Sequence, residues 1–145
     1  MEARRRWSVA VLGDGGWGTA LAVLLCGYGH DVRLWSAFPR YAEELRRRRR
    51  NVKFLPGVPL PADLRITASA REALEGVQMV LEAVPSRYLR RTLGRLRAAW
   101  PGGLPMVSCT KGVEIRTLKR PTEVITEVLG VKRVAGAEKH KNSEQ

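Results

Sequence analysis

The chain is organised around residues 7–22, which read WSVAVLGDGGWGTALA. An apolar run of strand length leads into three glycines, Gly13, Gly15 and Gly18, and a helix pattern rich in small residues and leucine follows at once. The order of strand, G-x-G-x-x-G turn and helix is typical of a dinucleotide-binding βαβ unit. The first glycine permits the tight turn, the second lets the backbone approach a pyrophosphate, and the third lets the helix pack closely on the strand. The alternative is a glycine-rich turn that binds no ligand.

The rest of the chain alternates strand and helix patterns, which predicts an α/β fold built on a mostly parallel, doubly wound sheet with helices on both faces. Strands are predicted at residues 7–12, 31–35, 64–67, 77–84, 104–109 and 131–135, and helices at 16–26, 39–50, 70–76, 87–100 and 121–129. Ser69 and Ser86 are predicted N-caps. The proline-rich stretch 51–61 is predicted to be a loop that packs down or lines a cleft. Residues 1–135 are therefore read as one domain and 136–145 as a disordered tail.

The choice of cofactor is usually made at the end of the second strand of such a unit. An acid there binds the ribose 2′-hydroxyl of NAD, and a nearby arginine suits the 2′-phosphate of NADP. The predicted second strand, 31–35, has no acid at its end, because Asp31 stands at its beginning. Ser36 and Arg40 follow the strand and are candidates to meet a phosphate. The sequence therefore predicts NAD or NADP as cofactor and leans towards NADP.

The chain is strongly basic. Lys and Arg total 26 against 14 acids, a formal net charge of +12. Such a surplus attracts anions, among them nucleotides, phosphorylated metabolites and nucleic acid, although solvated helix faces give the same composition. The densest run, Arg46–Arg50, is predicted to be a frayed, exposed helix end. Nucleic acid is the less favoured partner, because no aromatic residues alternate with these arginines to stack on bases.

The compartment is predicted from what the sequence does not contain. No apolar run reaches the roughly 18 to 20 residues of a membrane span, and the first apolar stretch is too short for a signal peptide. We therefore expect a cytoplasmic protein with no membrane span. Cys26 and Cys109 are the two cysteines, and we expect buried, reduced thiols rather than a disulfide or a metal site. No metal ligands are predicted.

Five motifs, in order along the chain, resemble the N-terminal part of NAD(P)-dependent glycerol-3-phosphate dehydrogenase. They are GDGGWGTALA at 13–22, LW at 34–35, NVKFLPG at 51–57, AVPS at 83–86 and TKGVE at 110–114. The resemblance implies a Rossmann-like cofactor-binding domain. It also implies hydride transfer between sn-glycerol 3-phosphate and dihydroxyacetone phosphate with NAD(P), which supplies the backbone of glycerophospholipids.

The resemblance also assigns site residues. Gly16 and Trp17 match the family's cofactor-binding turn, and Phe54 matches an aromatic position near the nicotinamide cleft. Pro85 lies in a motif expected to contact the cofactor. Lys111 matches a lysine that touches both the cofactor and the substrate phosphate. Its place after a predicted parallel strand suits an anionic ligand on general grounds as well.

The sequence departs from the family in several respects. The family's second, helical domain and its general-base lysine have no counterpart, so no catalytic residue is assigned and little or no turnover is expected from this chain alone. Asp14 puts a carboxylate in the pyrophosphate turn, and we expect Asp14→Ala to tighten dinucleotide binding by relieving repulsion. Gln78 and Glu82 are polar residues in a strand predicted to be buried, and an unpaired Glu82 is expected to be protonated there.

Two alternatives from other classes remain open at this stage. One is a module that senses NAD(P) or binds a partner or a second copy of itself through the apolar surface left where the second domain packs in the family. The other is a basic protein that binds anions or nucleic acid on the same fold.

Overall fold

The computed structural model describes residues 4–136, and the elements below belong to that range. The strands are β1 (Ser8–Leu12), β2 (Asp31–Trp35), β3 (Arg50–Asn51), β4 (Leu55–Pro59), β5 (Arg65–Thr67), β6 (Met79–Glu82), β7 (Met106–Ser108) and β8 (Val134–Gly136). The α-helices are α1 (Gly16–Gly27), α2 (Pro39–Arg48), α3 (Ala70–Leu74), α4 (Ser86–Leu96) and α5 (Pro121–Leu129). A 3₁₀ turn, Arg97–Ala99, extends α4.

Six strands form one sheet in the order β5-β2-β1-β6-β7-β8, and every neighbouring pair is parallel. The chain winds outward from β1 in one direction, returns, and winds outward from β6 in the other. In sheets of this kind ligands bind outside the carboxyl ends of the strands, at the point where the winding reverses. The parallel, doubly wound α/β fold predicted from the sequence is confirmed, and the reversal lies between β1 and β6.

The sheet buries apolar side chains on both faces, as a parallel sheet covered by helices requires. Alternate residues of β1 supply the two cores, because successive strand side chains point to opposite faces. Leu12 belongs to one core and Val11 to the other. The first core includes residues of α3, α4 and α5, among them Ala73, Leu89, Leu93, Val124 and Ile125. The second includes residues of α1 and α2, among them Ala22, Cys26, Ala42 and Leu45.

The predicted loop 51–61 is wrong in part, because β4 lies within it and pairs antiparallel with β3. We call this two-stranded element, residues 50–59, the ribbon. Its prolines are tolerated because each strand of a two-stranded ribbon has a free edge that needs no N–H donor. The carbonyl of Phe54, at the turn of the ribbon, lies against the start of α1. The prediction that this stretch packs down is confirmed by that contact.

Several predicted boundaries also shift. Ser69 does cap α3, since its hydroxyl accepts a hydrogen bond from the Glu72 amide at 3.2 Å. Ser86 is the first residue of α4 rather than its cap, and Pro85 takes the N-cap position. Gln78 is exposed and precedes β6, with its side-chain oxygen accepting from the Ser8 amide at 3.0 Å. The last strand, β8, lies three residues further on than the start of the predicted one, and 137–145 of the predicted tail lie outside the described residues.

The exposed helix end that the sequence predicts for the arginine run is confirmed for Arg46–Arg48, which form the exposed last turn of α2, but not for Arg49. Helix α2 ends at Arg48, and Arg49 adopts a left-handed conformation with φ 51°. The Arg49 guanidinium donates to the carbonyl of Pro61 and, at 2.8 Å, to that of Leu64. Arg46 donates to the carbonyl of Ile66 at 3.4 Å. Two of these arginines are therefore held against the outer side of β5, the strand at one edge of the sheet.

The cysteines and the helices bear on two further expectations. Cys26 is buried, Cys109 is partly buried, and both are free thiols. Burial raises the pKa of Cys26 to about 11, which keeps that thiol protonated at neutral pH. Between residues 4 and 136, no helix combines the length and the apolar content that crossing a bilayer requires.

Candidate functional site

Gly13 lies next to the ends of β1 and β6, at the point where the winding of the sheet reverses. It follows β1 with φ +114°, a backbone conformation that favours glycine. A Cβ atom at this position would lie 2.8 Å from the carbonyl oxygen of Ala83, the residue after β6. The ends of β1 and β6 therefore approach each other closely only because residue 13 has no side chain.

Gly16 and Gly18 let α1 pack against the turn that precedes it and against the ribbon. A Cβ at Gly18 would overlap the carbonyl oxygen of Gly13 and lie 2.9 Å from its carbonyl carbon. A Cβ at Gly16 would lie 2.6 Å from the carbonyl oxygen of Phe54. Both glycines are thus required by the packing of the backbone itself.

Gly15 differs from these three, because a Cβ there would meet nothing within 4 Å. It is the N-cap of α1, its side chain is a hydrogen, and the first turn of the helix carries no acid. The first helical bond runs from the Thr19 amide to the Gly15 carbonyl at 3.0 Å. The earlier amides of α1 therefore have no helical partner and lie at the positive end of the helix dipole, next to the open space at the Cβ position of Gly15. This arrangement fits an anionic group.

Asn51 holds the turn and the ribbon together, a role that the sequence did not reveal. It is fully buried, and its amide nitrogen donates to the Asp14 carbonyl at 2.9 Å and to the Thr19 hydroxyl at 2.8 Å. Its side-chain oxygen accepts from the Tyr41 hydroxyl and, at 3.3 Å, from the Phe54 amide. In the sequence, Asn51 is only an asparagine that follows a basic helix, and it is singled out only as part of the family motif at 51–57.

Two exposed aromatic side chains border the same region. Trp17 is the second residue of α1 and Phe54 lies at the turn of the ribbon, and they are 59% and 44% exposed. Phe54 packs edge-on against Tyr41 with 5.9 Å between ring centroids, and the Lys53 ammonium lies 5.0 Å from the centre of its ring. The structure thus brings two of the predicted site residues to the start of α1.

Ser36 lies where the sequence predicts, directly after β2, but its side chain does not face solvent. It is fully buried, and its hydroxyl donates to Oδ2 of Asp14 and accepts from the Phe38 amide at 3.1 Å. In this structure the Ser36 hydroxyl contacts Asp14, and a direct contact of Ser36 with a phosphate stays a prediction. Burial raises the pKa of Asp14, and the Ser36 hydrogen bond opposes that shift. Arg40, the other phosphate candidate, is exposed.

Glu82 is fully buried at the end of β6 and, contrary to the expectation from sequence, it is not unpaired. Its carboxyl oxygens accept hydrogen bonds from the Val84 amide at 2.6 Å and the Ser108 hydroxyl at 2.7 Å. Thr110 Oγ1 lies 2.6 Å from Oε1 of Glu82 and 2.7 Å from the Val84 carbonyl oxygen. One hydroxyl proton cannot serve both, but a protonated Glu82 donates to Thr110, which then donates to Val84. Burial also raises the pKa of Glu82.

The raised pKa gives a pH-dependent contribution to stability. The favourable burial of neutral Glu82 is fully present below its unfolded-state pKa of about 4.3 and is lost as the pH rises through the folded-state value. Glu82→Gln keeps the shape and the same neighbours, with the amide oxygen accepting from Val84 and Thr110 and the amide nitrogen donating to Ser108, but it does not titrate. In urea titrations, we expect the free energy of unfolding of the wild type to fall relative to that of Glu82→Gln as the pH rises from 4 to 8. Glu75→Gln, which removes an exposed carboxyl, is the control. If the difference in stability between Glu82→Gln and the wild type is the same at every pH in this range, Glu82 is not neutral in the folded chain.

Lys111 and Pro85 lie at the same edge of the sheet as the glycine turn. Pro85 comes three residues after β6, and Lys111 comes three residues after β7, the next strand in the sheet. A Cβ on Gly112 would lie 3.7 Å from the hydroxyl oxygen of Ser86, so the segment around Lys111 runs beside the start of α4. Lys111 is exposed there.

Comparison with known proteins places this site in a family context. The family model described as NAD-dependent glycerol-3-phosphate dehydrogenase N-terminus matches residues 8–138. A glycerol-3-phosphate dehydrogenase (NAD(P)+) of Chlorobium phaeobacteroides strain BS1 is 46% identical over 121 residues, which are 83% of this chain and 36% of that protein. A protein of the same name from Mycobacterium tuberculosis strain H37Rv, numbered 2, is 42% identical over 85% of this chain and 37% of its own length.

A solved structure resembles the fold as well. The crystal structure of glycerol-3-phosphate dehydrogenase from Coxiella burnetii superposes with a TM-score of 0.79 and 32% identity, covering 89% of this chain and 39% of that one. The chain therefore spans a little over a third of the length of these relatives, and it corresponds to the part that the family model describes as N-terminal.

Proposed function

This chain belongs to the NAD-dependent glycerol-3-phosphate dehydrogenase family, and from that membership we propose that it binds NAD(H) or NADP(H) as the cofactor-binding part of such an enzyme. The observation that carries the proposal is the open space at the Cβ position of Gly15, next to the first amides of α1, which have no helical partner. That space lies where the winding of the sheet reverses, which is where doubly wound sheets bind dinucleotides.

The proposed roles follow the geometry. Backbone amides of Gly15, Gly16 and Trp17 hold the diphosphate, and the absence of side chains at Gly13 and Gly18 keeps the turn tight enough to do so. Trp17 and Phe54 exclude water from the start of α1. When bound, NAD(P)H would supply the hydride that reduces dihydroxyacetone phosphate to sn-glycerol 3-phosphate, and NAD(P)+ would accept it in the reverse direction.

Further parts of the proposal concern the substrate and the setting. Lys111 offers its ammonium group to the substrate phosphate, and Pro85, three residues after β6, contacts the cofactor. The reaction takes place in the cytoplasm, and its product, sn-glycerol 3-phosphate, supplies the backbone of glycerophospholipids. Because the chain matches only a little over a third of the length of these relatives, we expect cofactor binding but little turnover from these 145 residues by themselves.

Titration of the chain with NADH and NADPH tests the proposal. Trp17 is exposed at the first turn of α1, whereas Trp35 is buried with its indole N–H donating to the Ala68 carbonyl at 3.1 Å. We expect saturable quenching of tryptophan fluorescence and matching heats in calorimetry. Trp17→Phe should remove most of the fluorescence change while the heats persist. Absence of binding of both nucleotides to the folded chain overturns the proposal.

Lys111→Ala tests the part assigned to the substrate phosphate. We expect added glycerol 3-phosphate to raise the melting temperature of the wild-type complex with NAD+, and we expect Lys111→Ala to lose most of that shift. Lys132→Ala is the matched control. Lys132 is also exposed, but it precedes β8 and so lies at the amino-terminal ends of the parallel strands, opposite the proposed site. An equal shift in Lys111→Ala and the control refutes the role of Lys111.

A second candidate function, binding of a partner chain or a second copy, is favoured by one observation. Three apolar side chains after Lys111 are strongly exposed, namely Val113, Ile115 and Leu118. Exposed apolar groups clustered in one segment commonly mark an interaction surface. Light scattering of the purified chain distinguishes a dimer from a monomer, and Ile115→Ser should shift a dimer towards monomer.

The nucleic-acid alternative has less support. Arg46 and Arg49 contact carbonyls around β5, and Arg90 forms ion pairs with Glu114 at 2.8 Å and Glu127 at 3.0 Å. Arginines engaged in this way have fewer donors left for phosphates. Salt-dependent binding of DNA or RNA by the chain would revive this alternative.

A further inference from the structure

We propose that Asp14 makes the site selective for NAD(H) over NADP(H). In dinucleotide-binding sheets, an acid at the end of the second strand accepts a hydrogen bond from the ribose 2′-hydroxyl and excludes a 2′-phosphate. The sequence of β2 offers no acid at that end. The structure supplies one from the neighbouring turn, because the Asp14 carboxyl meets Ser36 directly after β2. The inference rests on the proposed binding of a dinucleotide at this site.

The position of Asp14 follows from the pairing of the first two strands. β1 and β2 are in parallel register, with Leu12 opposite Trp35. The Gly13 amide then donates to the Trp35 carbonyl at 3.1 Å, which brings the glycine turn directly beside the end of β2. The next residue along the turn is Asp14, and its side chain reaches the first residue beyond β2.

Asp14 is held at two points, one on its side chain and one on its backbone. Its Oδ2 atom accepts from the Ser36 hydroxyl, while the Asp14 carbonyl accepts from the buried Asn51 amide at 2.9 Å. Ser36 is in turn bonded to the Phe38 backbone. A carboxylate has about four acceptor sites, so the Ser36 hydroxyl leaves capacity for ribose hydroxyls. Asp14 as a whole residue is only 9% exposed, so its side chain is held in place by the surrounding protein.

The charge of this position argues against a 2′-phosphate. A phosphate placed beside an aspartate loses affinity by repulsion when the aspartate is ionised, and it also lacks a donor when Ser36 is bonded to Asp14. Two cations are close in sequence or space, Arg40 and Lys53, and both are exposed. The Lys53 ammonium lies 5.0 Å from the centre of the Phe54 ring and is not bound to Asp14 in any hydrogen bond or ion pair among the described residues. The fixed group at the end of β2 is thus an acid.

Calorimetric titrations with NADH and NADPH at one pH and one ionic strength test the inference. We expect the wild type to bind NADH at least about tenfold more tightly than NADPH. We expect Asp14→Asn, which keeps the shape but removes the charge, to lower that ratio at least about tenfold, mainly by tightening NADPH. Asp63→Asn is the matched control, because Asp63 is exposed and precedes β5, so it lies at the amino-terminal ends of the strands, away from the site. The ratio of affinities in this control should equal that of the wild type.

The outcomes separate this inference from the proposed function. If the folded wild type binds neither nucleotide, the proposed function fails and the inference with it. If the wild type binds both and prefers NADPH, or binds the two equally, the inference alone is overturned. An unchanged ratio in a folded Asp14→Asn variant also overturns it. Melting curves establish whether each variant is folded. If Asp14→Asn does not fold, the wild-type ratio still tests the inference, because equal binding or a preference for NADPH overturns it.

Discussion

Replacing Gly18 with alanine is expected to destabilise the fold by about 3 kcal/mol or more, at the upper end of what an extra buried methyl group costs. The added Cβ would overlap the carbonyl oxygen of Gly13. That oxygen belongs to the backbone and cannot rotate away. Moving it displaces Gly13, which itself lies against the Ala83 carbonyl at the junction of β1 and β6. The clash therefore spreads to the centre of the sheet.

Urea unfolding followed by circular dichroism measures this effect. Gly94→Ala is the matched control, since Gly94 lies within α4 and a Cβ there would meet nothing within 4 Å. Alanine is the better helix former, so we expect this control to stabilise the chain by up to about 1 kcal/mol. A Gly18→Ala variant as stable as the wild type would show that α1 does not pack on the turn as described.

Gly15→Ala is expected to have the opposite profile, with an intact fold and dinucleotide binding weakened about a hundredfold, which is about 2.8 kcal/mol. Gly15 has φ −68° and ψ −177°, which alanine adopts without strain, and open space surrounds its Cβ position. The new methyl group would occupy the space that we assign to the diphosphate, beside the amides that hold it.

Calorimetric titration of Gly15→Ala with NADH provides the measurement, and the urea midpoint of the same sample shows whether the fold is retained. Gly94→Ala again serves as control, with unchanged affinity expected. Wild-type affinity in a folded Gly15→Ala chain would place the diphosphate elsewhere. Loss of folding would show instead that Gly15 is needed by the backbone, as Gly18 is.

The parts of the structure that the sequence predicts are those with local signals. The glycine spacing and the apolar strand before it locate β1, the turn and α1, because each depends on residues close together in the chain. Six parallel strands follow from alternating strand and helix patterns by the same reasoning. The family resemblance then adds Phe54 and Lys111, which no periodicity identifies.

The parts that were missed depend on pairs of residues that are distant in sequence. Asp14 and Glu82 both appear as polar residues in unsuitable places, and the sequence gives no partner for either. Ser36 and Ser108, their respective partners, are 22 and 26 positions away. Such pairs arise from the order and register of strands, so they become visible only when the sheet is assembled. The lean towards NADP rested on Ser36 and Arg40 alone, because the sequence does not show the contact between Asp14 and Ser36.

The contacts of Arg46 and Arg49 with carbonyls along β5 bear on how the chain behaves in concentrated solution. β5 is an outermost strand, and its outward carbonyls at Leu64 and Ile66 would otherwise be free to recruit a strand from another molecule. Guanidinium groups occupy those acceptors and add positive charge, so two copies meeting at this border repel each other. The arginine run thereby opposes aggregation in which a strand of a second molecule pairs with β5.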